Sequence, residues 1–82
     1  MIYMLDSCGR LQECKNMMES CSLQPKTMEV FWNIYAIGYD GIRRNILFTL
    51  PTKEEMHRKY EELREEFDKK ILEEISESNY KI

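Results

Sequence analysis

The chain has 82 residues, 33% of them charged and 43% hydrophobic, with a formal net charge of −3. That describes one small domain, 1–82, with a modest core and little stability to spare. It argues against sequence-independent nucleic-acid binding, which depends on neutralising phosphates, and no run approaches the ~18 apolar residues of a membrane span.

The charge is unevenly placed. Residues 1–52 carry five basic and five acidic groups, whereas 53–77 carry six basic and ten acidic. The apolar opening Met1–Leu5 is too short for the hydrophobic part of a signal peptide and runs straight into Asp6. Cys8, Cys14 and Cys21 are odd in number and clustered in the first quarter, a poor disulfide framework. A cytoplasmic chain is therefore expected.

Met1–Leu5 is compatible with a short strand or an ordered tail. Over residues 7–22, Leu11, Cys14, Met18 and Cys21 recur at i, i+3, i+7 and i+10, which predicts a short N-terminal helix capped by Asp6 or Ser7. Gly9 in its first turn counts against it. Ser22–Thr27 is the connection, and Pro25 biases Gln24 to an extended form.

Residues 28–50 predict a long antiparallel β-hairpin around Gly38-Tyr39-Asp40-Gly41. A three-residue loop, Tyr39-Asp40-Gly41, places glycine at the left-handed position that such loops want. It pairs Gly38 with Ile42, Ile34 with Ile46, Trp32 with Phe48 and Val30 with Leu50. One face is then almost wholly apolar: Met28, Val30, Trp32, Ile34, Ala36, Ile42, Ile46, Phe48 and Leu50, with Arg44 its one charge. The other is mixed and carries Phe31, Tyr35, Ile37, Arg43 and Leu47. So many large apolar groups on one mixed face predict a cover, either another part of the chain or another molecule.

Pro51-Thr52-Lys53-Glu54-Glu55 is a helix start, with Thr52 as N-cap and Glu55 completing a capping box. Met56, Tyr60, Leu63, Phe67, Ile71 and Ile75 then mark one face of an amphipathic helix over 53–76. Its apolar stripe fits along the apolar hairpin face. The expected fold is α+β in the order α-β-β-α: a long hairpin packed against a long C-terminal helix, with the short N-terminal helix on the other side. A lone hairpin also leaves two unpaired edges, and a homodimer through a four-stranded sheet would remove them.

Catalytic chemistry is not expected. The cysteine spacings are too wide for a zinc knuckle, and Cys14 and Cys21 read as small hydrophobes on one helix face. His57, the one histidine, reads as a surface side chain. A cysteine nucleophile would need it as base, with a third group to orient it. The glutamate doublets of the long helix belong to a solvated, ion-paired face. No phosphate loop, nucleophile elbow or dinucleotide fingerprint is present. No catalytic residue, metal or cofactor is therefore expected.

What remains is a binding surface. Phe31, Tyr35, Tyr39, Arg43, Arg44 and Leu47 are the candidate partner-binding residues, because arginine and tyrosine dominate binding hot spots. A protein partner is the leading expectation. A nucleic acid read by the tip arginines is the alternative, with arginine on phosphate and tyrosine stacked on bases, and a purely structural homodimer is the third. In size, composition and lack of catalytic machinery the chain is similar to short anti-defence and accessory proteins of phages and mobile elements, which bind and block a host protein.

Overall fold

The computed structural model describes residues 1–80, side chains at position 44 and at 77–80 excepted. Tyr80 and Ile82, apolar groups that the sequence offers for docking at the end of the chain, lie outside the described residues, Tyr80 by its side chain. The order of elements is β1 (Tyr3–Leu5), β2 (Leu11–Glu13), β3 (Asn16–Gln24), β4 (Glu29–Ile37), β5 (Arg43–Leu50) and α1 (Lys53–Tyr80). Strands β3-β4-β5 form an antiparallel meander, and β1-β2 form a separate small hairpin. The class is α+β, as expected; the order of elements is not.

The helix expected over 7–22 is replaced by the β1-β2 turn, β2 and most of β3. Asp6 organises the turn rather than capping a helix. Its carboxylate accepts from the N–H groups of Cys8 and Arg10, each at 2.9 Å, and from the Gln12 amide at 3.0 Å. These donors, the Arg10 N–H first, hold the Asp6 carboxyl below its ordinary pKa. Gly9 sits at φ +80°, a left-handed position that suits glycine and no helix interior.

Past the turn, β3 lies in unbroken register along all nine residues of β4, from Asn16 opposite Ile37 to Gln24 opposite Glu29. The physical reason is the free edge of β4. A short, weakly capped helix is marginal in water, whereas a nine-residue ladder satisfies backbone groups of both strands. Alternation then sets Met17 inward and Met18 on the opposite face.

The β4-β5 turn is the expected three-residue loop. The Gly38 N–H donates to the Ile42 carbonyl at 2.9 Å, and Gly41 has φ +80°. Away from the turn the register departs from expectation. Trp32 faces Leu50, Ile34 faces Phe48, Tyr35 faces Ile46 and Ile37 faces Arg43, with irregularities on either side of Tyr35. From Trp32 to Ile37 β4 advances five residues, while β5 advances seven from Leu50 to Arg43. The two extra residues of β5 are bulges. The first is at Leu47. It turns Leu47 into the core at 0% exposure and leaves Ile46 outward at 38%, the reverse of the regular pairing.

The core lies between the inner sheet face, α1 and the β1-β2 hairpin. Ile34, Ala36, Leu47 and Met17 meet Met56, Leu63 and Phe67 from α1, and Ile2, Met4 and Cys14 from the N-terminal segment. Trp32, Phe48, Leu50, Tyr60 and Ile71 pack around them. Val30, Met28 and Ile42, expected on this covered face, are exposed. Thr52 caps α1 as expected, its hydroxyl accepting from the Glu55 N–H at 3.2 Å. Among the described residues no helix is long and apolar enough to cross a membrane.

Candidate functional site

The buried groups of α1 and of β1-β2 all join the Ile34–Ala36 side of the sheet. Among the described residues the opposite face of β3-β4-β5 is therefore left to its own side chains. Cross-strand pairing places Met18 beside Tyr35, Tyr35 beside Ile46, Ile37 beside Arg43, and Ser22 beside Phe31. Phe31 and Ile46 are exposed, while Met18, Tyr35 and Ile37 are half-buried. The Arg43 guanidinium lies over the Tyr35 ring, 4.5 Å from its centroid. That stacking holds the arginine fork against an aromatic surface, an arrangement suited to meeting a carboxylate or phosphate.

In the middle of this face sits Asn33, only 2% exposed, between Phe31 and Tyr35 along β4. Its amide nitrogen donates to the Ser22 hydroxyl at 3.0 Å, and its carbonyl accepts from the Thr49 hydroxyl at 2.9 Å. One side chain thus ties β3, β4 and β5 together on the outer side. Sequence reasoning missed this; the available signal was a polar residue between Trp32 and Ile34 in the central strand.

The six candidate residues do not form one patch. Phe31, Tyr35 and Arg43 share the outer face. Arg44 follows Arg43 in β5. Tyr39 stands at the turn with a structural duty, its hydroxyl accepting from the Ile2 N–H at 3.0 Å and so anchoring the N-terminal segment. Leu47 is a correction: the bulge buries it in the core, so it cannot meet a partner. Ile46, which that bulge turns outward, and Met18 take its place.

Comparison with protein-family models, with curated proteins and with solved structures finds no match to this chain. The surface itself must carry any functional reading.

The other reactive groups are dispersed. His57 Nδ1 lies 2.7 Å from Glu19 Oε2, pinning the first turns of α1 to β3. That oxygen is shielded from solvent and, among the described residues, has no other polar partner. Among the described residues no three His, Cys, Asp or Glu side chains converge as metal ligands would. Cys8 and Cys21 are exposed and Cys14 is buried, all three as free thiols.

Burial pushes the Cys14 thiol up to about 11 from an ordinary 9.0. A thiol-specific reagent at neutral pH should therefore modify Cys8 and Cys21 quickly and Cys14 only after unfolding. Three equally fast thiols would contradict the placement of Cys14 in the core. The same shift fixes a sign. The unfolded chain loses this proton first, so this group's contribution to stability falls as pH rises from about 9 to about 11.

Proposed function

We propose that this is a small non-enzymatic binding module whose outer sheet face docks a protein partner and modulates or inhibits it. The observation that carries the reading is the outer face itself: Phe31, Tyr35 with Arg43 stacked on it, Ile46 and Met18 around the locked Asn33. Aromatic and arginine groups on a rigid sheet lose little entropy when a partner covers them. Three free thiols fit a reducing, cytoplasmic setting. The finer expectation, an accessory or anti-defence protein of a phage or mobile element, rests on the general likeness in size and composition.

The test is a comparative pull-down from the native host, quantified by mass spectrometry, with wild type against Tyr35→Asp and Phe31→Asp. A protein retained by wild type should lose about 30-fold or more in affinity for the variants, the cost of about 2 kcal/mol expected for a hot-spot residue. Both variants should keep wild-type denaturation midpoints to within about 1 kcal/mol, because neither side chain joins the core. Equal retention by folded variants would refute the reading.

The stacked Arg43 also supports nucleic-acid binding as a second reading. Arg43→Glu with Arg44→Glu should then abolish a salt-sensitive gel shift. Absence of any shift at low salt would remove that alternative.

A further inference from the structure

The two free edges of the β3-β4-β5 sheet are treated very differently. The β5 edge is broken by two bulges, begins with Arg43 and Arg44, and runs into Pro51. Its Leu47 carbonyl already accepts from the Ser7 N–H at 2.8 Å. Those are the usual devices that stop an edge from recruiting another strand. The β3 edge carries fewer of them. It runs for nine residues, Asn16–Gln24, with no lysine, arginine, proline or bulge, and among the described residues no strand pairs with its outer side. Only at its first end is it tied, where Asn16 Oδ1 accepts from the Met17 N–H at 2.9 Å and from the Arg64 guanidinium at 3.2 Å. Its one charge, Glu19, is occupied by His57 of the same chain.

We propose that β3 is the interface between two copies of this chain, which join edge to edge about a twofold axis into a continuous six-stranded antiparallel sheet. This edge adjoins the outer face discussed above and shares Met18 with it, but the proposal does not rest on that reading.

The strand is self-complementary in one register. Overlap of all nine residues places the axis at Ser20, so that Asn16 of one copy meets Gln24 of the other, Met17 meets Leu23, Met18 meets Ser22 and Glu19 meets Cys21. Sliding two residues one way sets Glu19 against Glu19 of the second copy, a repulsive cross-strand pair. Full overlap avoids that clash and keeps the inner face on one side throughout.

It also accounts for an apolar patch that the monomer leaves open. The β3-β4 arm extends beyond the start of α1, and there Leu23 and Val30 sit opposite each other on the helix side, 52% and 45% exposed. The twofold sets this Leu23 beside Met17 of the second copy. A seam of nine strand residues is roughly 30 Å long. With side chains on both faces it buries on the order of 1,000 Å² in total, near the lower bound for a specific interface. The dimer should therefore be reversible and form in the micromolar range.

The experiment measures mass and contact together. At about 100 μM, well above a micromolar dissociation constant, light scattering should report twice the 10.0 kDa chain mass. Ser20→Cys, in a background of Cys8→Ser and Cys21→Ser, should oxidise to a covalent dimer, since residues across the axis have Cβ atoms about 4.5–5.5 Å apart. Asn45→Cys on β5 in the same background should not. Ser20→Lys, which opposes two like charges at the axis, should leave a folded monomer. A wild-type mass of one chain overturns the proposal. So does a dimer that survives Ser20→Lys, or one that cross-links through Asn45→Cys instead.

Discussion

Replacing Leu47 with alanine should remove about 2–5 kcal/mol of stability, while Ile46→Ala one position away should cost less than about 1 kcal/mol. Leu47 is fully buried among Ile34, Ala36, Met4 and the α1 stripe. Its truncation removes buried methyl groups and leaves a cavity that a small, close-packed core fills poorly. Ile46 faces outward beside Tyr35 and already meets water. An 82-residue domain holds roughly 4–12 kcal/mol in all, so the Leu47 variant should show a large fall in denaturation midpoint. The comparison is decisive because regular hairpin pairing demands the opposite order, with Ile46 in the core and Leu47 outside. A larger loss at Ile46 would show that the bulge is absent.

A second large effect is expected at the N terminus. Met4→Asp should leave the chain unfolded at 25 °C, whereas Leu5→Asp should stay within about 1 kcal/mol of wild type. Met4 is 0% exposed and Leu5 is 53% exposed, as alternation along β1 requires. The aspartate would forfeit the packing of the methionine and place a carboxylate within a cluster of hydrophobic side chains. Each of those losses is worth several kcal/mol, and together they rival the whole stability of the domain. Met4→Leu, which keeps volume and polarity, should cost less than about 1.5 kcal/mol and separates a packing requirement from general intolerance at the position. The readout is near-ultraviolet circular dichroism or amide dispersion by NMR. A folded Met4→Asp protein would mean that β1-β2 is an appendage and not part of the core.

These two sites also mark where the sequence was and was not readable. The β4-β5 turn, the Thr52 cap and the stripe of Met56, Leu63 and Phe67 depend on residues close together in the chain, and each stands where local patterns put it. The N-terminal segment does not. Leu11, Cys14, Met18 and Cys21 fit a helix, but Met4, Cys14 and Met17 are the residues that turn inward, because β4 offers β3 a full-length edge whose partners lie five to twenty-one positions away. The bulges of β5 left no mark, since Ile46 and Leu47 are chemically near-equivalent and either can fill a core. The candidate surface was readable to the same degree. Phe31, Tyr35 and Arg43 share a face because strands alternate. Leu47 was lost to the bulge, and Tyr39, still exposed, also holds the Ile2 N–H through a hydrogen bond that spans 37 positions. Asn33 is legible only once Ser22 and Thr49 are seen on either side of it.

The link between Ser7 and Leu47 has a consequence for the order of assembly. The β1-β2 hairpin is made before the meander and α1, yet the core that shelters Met4 and Cys14 is incomplete until β5 and α1 have followed. A growing chain therefore carries its first strands unburied while the meander behind them forms from near-neighbour contacts, the quick kind of folding. The Ser7–Leu47 bond can form only once β5 has been made. Chains stopped before β5 and α1 should therefore expose the Cys14 thiol to a reagent that the finished fold excludes.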